Sequence, residues 1–207
     1  LRAGSDVPNY HHVQAGLDAG RGVIRALPHL GGWEWAGFWM AAAKEVPITV
    51  VVEAIEPPEL FEWFTSFRES LGMHVVPLGP DSATAVISAL KRNEVVCLLS
   101  DRDIGGGGIE VDFFDERTTL PGGPALLGLR SGAPVLPTGV YFTAGGGHVG
   151  VVQPPLDTTR HGKLRQDVNR VTQELAGALE GLIRREPEQW HLFQPNWPSD
   201  EAWLAQG

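Results

Sequence analysis

Two short runs constrain this chain more than any other feature, "PITVVVEA" at 47–54 and "EVVCLLS" at 94–100. Both are aliphatic and rich in β-branched residues, too short for a stable helix, and largely without polar alternation. A strand of that kind is buried on both faces, which places it in a parallel sheet covered by helices on each side. The connecting stretches then have to be crossover helices, and they read as such. "GVIRAL" (22–27) is a further short strand, followed by a helix over 33–44. Pro57 and Pro58 open a helix that Gly72 closes. "HVVPL" (74–78) returns as a strand, and "DSATAVISALKRN" carries capping residues at its start and basic residues in its last turn.

The second half continues the pattern with a change at the end. "IEVDFF" (109–114) alternates as a strand does, and "GPALLGLRSG" reads as a short helix. "APVLPTGVYF" (133–142) and "HVGVVQP" (148–154) form an expected hairpin across "TAGGG", with Pro137 marking an irregularity or an edge. The stretch 163–186 is the last helix, with Val168, Val171, Leu175, Leu179, Leu182 and Ile183 on one face. The expected fold class is α/β, with a mainly parallel central sheet of about six to seven strands and helices on both faces. No repeat or linker divides residues 1–207, so one domain is expected.

Charge and composition exclude several functions. A net charge of −9 without a basic stripe argues against nucleic acid as a partner. No stretch approaches the roughly 20 apolar residues that span a bilayer, and no segment of the sequence reads as a signal peptide, so none is expected. Cys97, the single cysteine, lies inside an apolar run. It reads as a small core residue of a protein in a reducing compartment.

In open sheets of this kind, ligands bind at the carboxyl ends of the strands. Two polar segments sit there. The first is "ALPHLGGWEWAG" (26–37), which places His29 between a strand and a helix. Glu34, one turn into that helix, can reach back to the imidazole or cap the helix N–H groups, and a histidine with a carboxylate is the usual equipment for taking a proton from a hydroxyl. The second is "DRDIGGGG", where Asp101, Arg102 and Asp103, with Glu110 beyond, can complete a dyad with His29 or grip a polar headgroup. Its glycines precede a strand, so they are not the dinucleotide cradle, in which G-x-G-x-x-G opens a helix. No H-E-x-x-H motif or cysteine pair supports a metal site, and no G-x-S-x-G elbow supports a serine hydrolase. Arg68 lies on its helix among Phe61, Trp63, Phe64 and Phe67, either as an exposed arginine above an aromatic core face or as a grip for an anionic group with an apolar tail. "EQWHLFQPNWPSD" (188–200) is too aromatic for a free tail and reads as an extended segment packed over a groove.

His29-Leu-Gly-Gly-Trp-Glu34 resembles the H-x4-D/E motif of the bacterial lysophospholipid and lipid A acyltransferases. Arg68 in "FTSFRESLG", the segment "SDRDIGGGGIEVDFF" and "PEQWHLFQPNW" match the same pattern in the same order. Within that superfamily the likeness is greatest to the phosphatidylinositol mannoside acyltransferases of actinobacteria. The resemblance implies transfer of a fatty acyl group, palmitoyl in the first place, from acyl-CoA as co-substrate to the mannose 6-OH of a mannosylated phosphoinositide. It implies no cofactor, and a peripheral enzyme at the cytoplasmic face of the cell membrane. It assigns the base to His29 and the motif acid to Glu34, where the family more often has aspartate. A second acid, the histidine's partner, falls on Glu110 first and Asp103 second. Arg68 matches the motif arginine. An N-terminal membrane-associating helical region of the family is expected to be missing from a chain that begins at Leu1.

The implied chemistry needs a neutral histidine held by a carboxylate and donors for an oxyanion, for which the N–H groups near Gly31 and Gly32 are candidates. Asp101 and Arg102 are candidates for substrate binding. Trp33, Trp35, Phe38, Trp39 and Met40 are candidate walls of an acyl channel, although such a stripe also serves a core. A thioesterase or lipid hydrolase, an acyltransferase on another glycolipid or lysophospholipid, and a lipid carrier are the competing readings.

Overall fold

The computed structural model describes residues 5–205; the chain start at Leu1 lies outside the described residues. Its elements run β1 (Ser5–Asp6), α1 (His11–Asp18), β2 (Val23–Leu27), α2 (Trp33–Lys44), β3 (Ile48–Val52), α3 (Pro58–Ser70), β4 (Met73–Pro77), α4 (Ser82–Lys91) and β5 (Val95–Leu99). Then follow β6 (Ile109–Phe113), β7 (Glu116–Leu120), α5 (Gly123–Ser131), β8 (Val135–Phe142), β9 (His148–Val152), α6 (Leu164–Ile183) and α7 (Pro198–Leu204). The main sheet has seven strands in the order β1-β9-β8-β2-β5-β3-β4. All neighbours are parallel except the β8/β9 hairpin. This is the α/β architecture that the apolar runs predict.

Period-two alternation along the central strands builds two cores. Ile24, Ala26, Val96 and Leu98 face α4, α5 and α6. Val23 and Val95, pointing the other way, join Trp39 and Met40 of α2. Arg25 sits on that second face at 2% exposure with no ion pair among the described residues; Nη1 lies 2.6 Å from Met40 Sδ and Nε 3.4 Å from Thr138 Oγ1. Burial alone pushes its guanidinium below the ordinary value, countered in part by Cys97 and Tyr10.

Five elements differ from the sequence reading. Residues 116–120, "ERTTL", form β7, which pairs antiparallel with β6 as a separate hairpin. Phe114 and Asp115 make the turn, both with positive φ; Asp115 suits such a turn, but Phe114 does not announce one. The hairpin is covered by α6, where Glu180 accepts from the Phe114 N–H and Gln173 bonds both backbone groups of Asp112. Helix α3 has no buried residue, so its aromatic side is not a core face. Helices α1 and α7 and the short β1 carry too weak a period to be read from sequence.

Among the described residues, no helix is long and apolar enough to cross a membrane. The long α6 is amphipathic instead, and Leu175 at its centre is fully buried. Leu175→Ala is expected to lower the unfolding free energy by about 2–5 kcal/mol, read as a reduced urea midpoint at unchanged slope.

Candidate active site

The turn that carries His29 is fixed by its backbone. His29 follows β2, Ser100 N donates to Leu27 O, and the neighbouring β5 delivers Asp101 beside it. On the other side the C-terminal segment pairs with the turn like a strand: Gly31 N donates to Gln189 O and His191 N to His29 O, each at 2.8 Å. Leu30 and Trp190 face each other across this antiparallel bridge. Gly31 adopts φ +53°, and a Cβ there would lie 2.3 Å from Val140 O, so a larger residue would push the turn off the sheet.

His29 meets one carboxylate, that of Asp101. Asp101 Oδ1 lies 2.7 Å from Nδ1, and Oδ2 accepts the His29 backbone N–H at 2.8 Å. Trp190 Nε1 donates to the same Oδ2 at 2.8 Å, and Asn196 Nδ2 donates to the Asp101 carbonyl at 3.2 Å. Asp101 is fully buried while His29 is 17% exposed. Burial pushes the Asp101 carboxyl up, but the bonds from His29 and Trp190 outweigh it and hold it below the ordinary carboxylate range. An ionised Asp101 needs a proton on Nδ1, which leaves the Nε2 lone pair free to accept one.

The acids expected from sequence to serve this role stand elsewhere. Glu110 is on β6 with its side chain exposed, away from the imidazole. Asp103 is the hub of the glycine loop, accepting from the N–H groups of Gly106, Gly107 and Gly108 and from Thr119 Oγ1. Burial raises its carboxyl less than these four donors lower it. The run of glycines is explained by that wrap: Gly106 and Gly107 take positive φ, and a Cβ on Gly108 would meet Leu120 O at 2.6 Å. Glu34 does not reach back to His29. It accepts from Arg68 Nε at 2.9 Å and from Nη2 as well, joining the start of α2 to the last turn of α3. Arg68 also lies over the Phe64 ring.

Other expected groups are redistributed. Gly31 N–H is committed to Gln189, so it is not available to an oxyanion; Gly32, the residue capping α2, keeps the His148 ring against it. Arg102 Nη2 donates to Glu53 Oε2 at 2.8 Å, while its buried Nε has no partner among the described residues. Trp190 and Trp197 pack with Phe113 and Phe114, as expected of the aromatic tail. The additional indole donor to Asp101 has no signature in the sequence.

His29 opens onto a cavity of about 640 Å³ whose lining is mostly apolar. Trp33, Val51, Leu98, Val86 and Leu127 are among its walls, and Arg68, Arg102 and Asp103 line it as well. Of the expected channel residues only Trp33 lines it. Trp39 and Met40 are buried in the core on the opposite face of the sheet, and Trp35 and Phe38 pack against that core. A second cleft of about 390 Å³ adjoins Asp103; Glu110, Arg117, Thr118, Thr119 and Asn196 form its polar side, and Pro195, Trp197 and Pro198 its apolar side.

A buried carboxylate-histidine pair at the mouth of an apolar cavity, on the carboxyl ends of a parallel sheet, defines a class rather than an individual. Residues 1–199 match the family described as bacterial lipid A biosynthesis acyltransferase, and the chain belongs to it. Two relatives are each named phosphatidylinositol mannoside acyltransferase. The protein of Mycolicibacterium smegmatis is 39% identical over 198 residues, covering 94% of this chain and 63% of the relative. That of Mycobacterium tuberculosis is 42% identical over 192 residues, 91% and 58% respectively. The chain thus spans about three fifths of the length of these relatives.

The Asp101 geometry has a measurable consequence. A carboxyl held below its unfolded value of about 3.9 stabilises the fold above that pH and loses its contribution as pH falls further. Asp101→Asn is expected to be less stable than wild type near neutrality and to show a shallower stability loss below about pH 4, measured by urea unfolding across pH.

Proposed function

We propose that this chain catalyses transfer of a fatty acyl group, palmitoyl in the first instance, from acyl-CoA to the 6-OH of mannose in a phosphatidylinositol mannoside. The observation that carries the reading is His29, held through Nδ1 by buried Asp101, at the opening of the 640 Å³ apolar cavity. The names of the relatives support the acceptor, and the family supports acyl transfer.

A sugar hydroxyl is a poor nucleophile at neutral pH, so a base must take its proton as it attacks. In the proposed reaction the hydroxyl oxygen adds to the thioester carbonyl carbon while its proton moves to His29 Nε2. Asp101 stays ionised and stabilises the imidazolium. Collapse of the tetrahedral intermediate breaks the C–S bond, and the imidazolium returns the proton to the leaving thiolate. No acyl-enzyme forms, and atoms and charge balance within the two substrates and His29. With Gly31 engaged, the N–H groups at the start of α2 are the proposed donors to the developing oxyanion, since a helix leaves its first N–H groups without intrahelical partners.

The apolar cavity accepts the acyl chain, and the polar cleft beside Asp103 offers hydroxyl-binding groups in Glu110, Thr118, Thr119 and Asn196 for the acceptor headgroup. Arg68 and Glu34, locked together, position the wall between α2 and α3. The substrates are lipids, so the enzyme is assigned to the membrane surface as a peripheral protein of the cytoplasmic face.

His29→Ala is expected to fold normally by circular dichroism and to lose transfer by at least about 10²-fold. Near-full activity in that variant would remove His29 from the mechanism. Free fatty acid released at the same rate with and without mannoside would identify a hydrolase instead. Glu110→Gln is expected to raise KM for the mannosylated acceptor several-fold with little change in KM for acyl-CoA; equal effects on both would detach the polar cleft from acceptor binding.

A further inference from the structure

The acyl cavity has a direction, and its far end carries a feature that acyl transfer itself does not require. Its near end is set by His29 and Asp103 at the carboxyl ends of the strands. From there it follows one face of α5, where Gly123, Leu126, Leu127 and Arg130 recur at i, i+3, i+4 and i+7. Seven residues of helix advance the cavity by about 10 Å. Helix α5 leads directly into β8, whose Val135 pairs with Ile24 at the start of β2, so Arg130 lies towards the amino ends of the strands, away from His29.

The sheet side of the cavity is closed at the same depth. Leu98 and Val51 line it, whereas Val96, two residues earlier on the same face as Leu98, is fully buried in continuous core. A chain entering at His29 therefore runs between the sheet and the α4–α5 pair and ends against Arg130. That arginine is exposed and makes no hydrogen bond or ion pair among the described residues. Its methylene stem can line the apolar wall, while its guanidinium, without an ion pair among the described residues, stays in water at the rim.

We propose that Arg130 is the chain-length determinant of the acyl site. Methylenes are accommodated as far as its stem, and a longer chain has to desolvate the charged head, which an apolar tail cannot compensate. This inference rests on the proposed acyl-donor reading, and the test separates the two.

Binding and transfer are measured in parallel with saturated acyl-CoAs of increasing length, on wild type, Arg130→Leu and, as an opposing control, Val86→Phe, which fills the same cavity from α4. In wild type, affinity is expected to rise about fourfold per methylene until the cavity is full and then to level or fall. Arg130→Leu is expected to carry the rise on by two or more methylenes, a gain of roughly tenfold or more for the longest chains with short-chain affinity unchanged. Val86→Phe is expected to shift the optimum to shorter chains. A length profile in Arg130→Leu identical to wild type overturns the proposal. So does a uniform loss at every length, which would place Arg130 on the donor's phosphates. Length-selective binding that shifts in the variant without transfer to any acceptor would sustain the ruler while removing the proposed chemistry. Transfer with an unshifted length profile would do the reverse.

Discussion

The carboxylate of Asp101 is the contact on which the site depends. Its two oxygens receive three donors: the imidazole and the backbone N–H of His29, and the indole of Trp190. A buried carboxylate is costly unless its lone pairs are occupied, and here nearly all of them are. The same three bonds set the tautomer of His29, fix the turn that presents it, and tie the C-terminal segment to the sheet. Removing any one leaves the others attached to a buried charge that is short of a donor, so the turn, the histidine and the aromatic tail act as a unit.

The fold was largely legible in the sequence because its strongest elements obey one rule at a time. The run at 48–52 is β-branched throughout and apolar but for Thr49, as a strand covered on both faces requires, and the helix at 33–44 follows a strand at the crossover distance. Elements fixed by tertiary contact were not legible. "ERTTL" becomes a strand only because α6 covers the hairpin that Phe114 and Asp115 turn. Helix α3 has an aromatic period, yet none of its residues is buried: Phe67 meets Phe38 of α2 in an edge-to-face contact, and Leu60, Trp63 and Phe67 stay exposed.

The site was legible in part. His29 was visible from its place between strand and helix, and Arg68 and Glu34 from their motifs. The partner acid was not, because three acids lie within ten residues and only the path of the loop distinguishes them. Asp101 directly follows the end of β5 beside His29, while Asp103 turns back to collect the glycine N–H groups and Glu110 faces outward on β6. Spacing cannot separate a carboxylate that binds an imidazole from one that folds a loop. The pairing of Glu34 with Arg68, 34 residues apart, is likewise a product of how α2 and α3 pack.

The backbone bridge between the His29 turn and Gln189–His191 also bears on how the protein is made. His29 leaves the ribosome first, and Gln189 and Trp190 follow about 160 residues later, which at ordinary synthesis rates of about 5–20 residues per second is a delay of roughly ten to thirty seconds. Until then Asp101 lacks its indole donor and the turn lacks its strand-like partner. The nascent chain can therefore bury much of its sheet before it can hold its histidine, and the groups that complete the site arrive well after it.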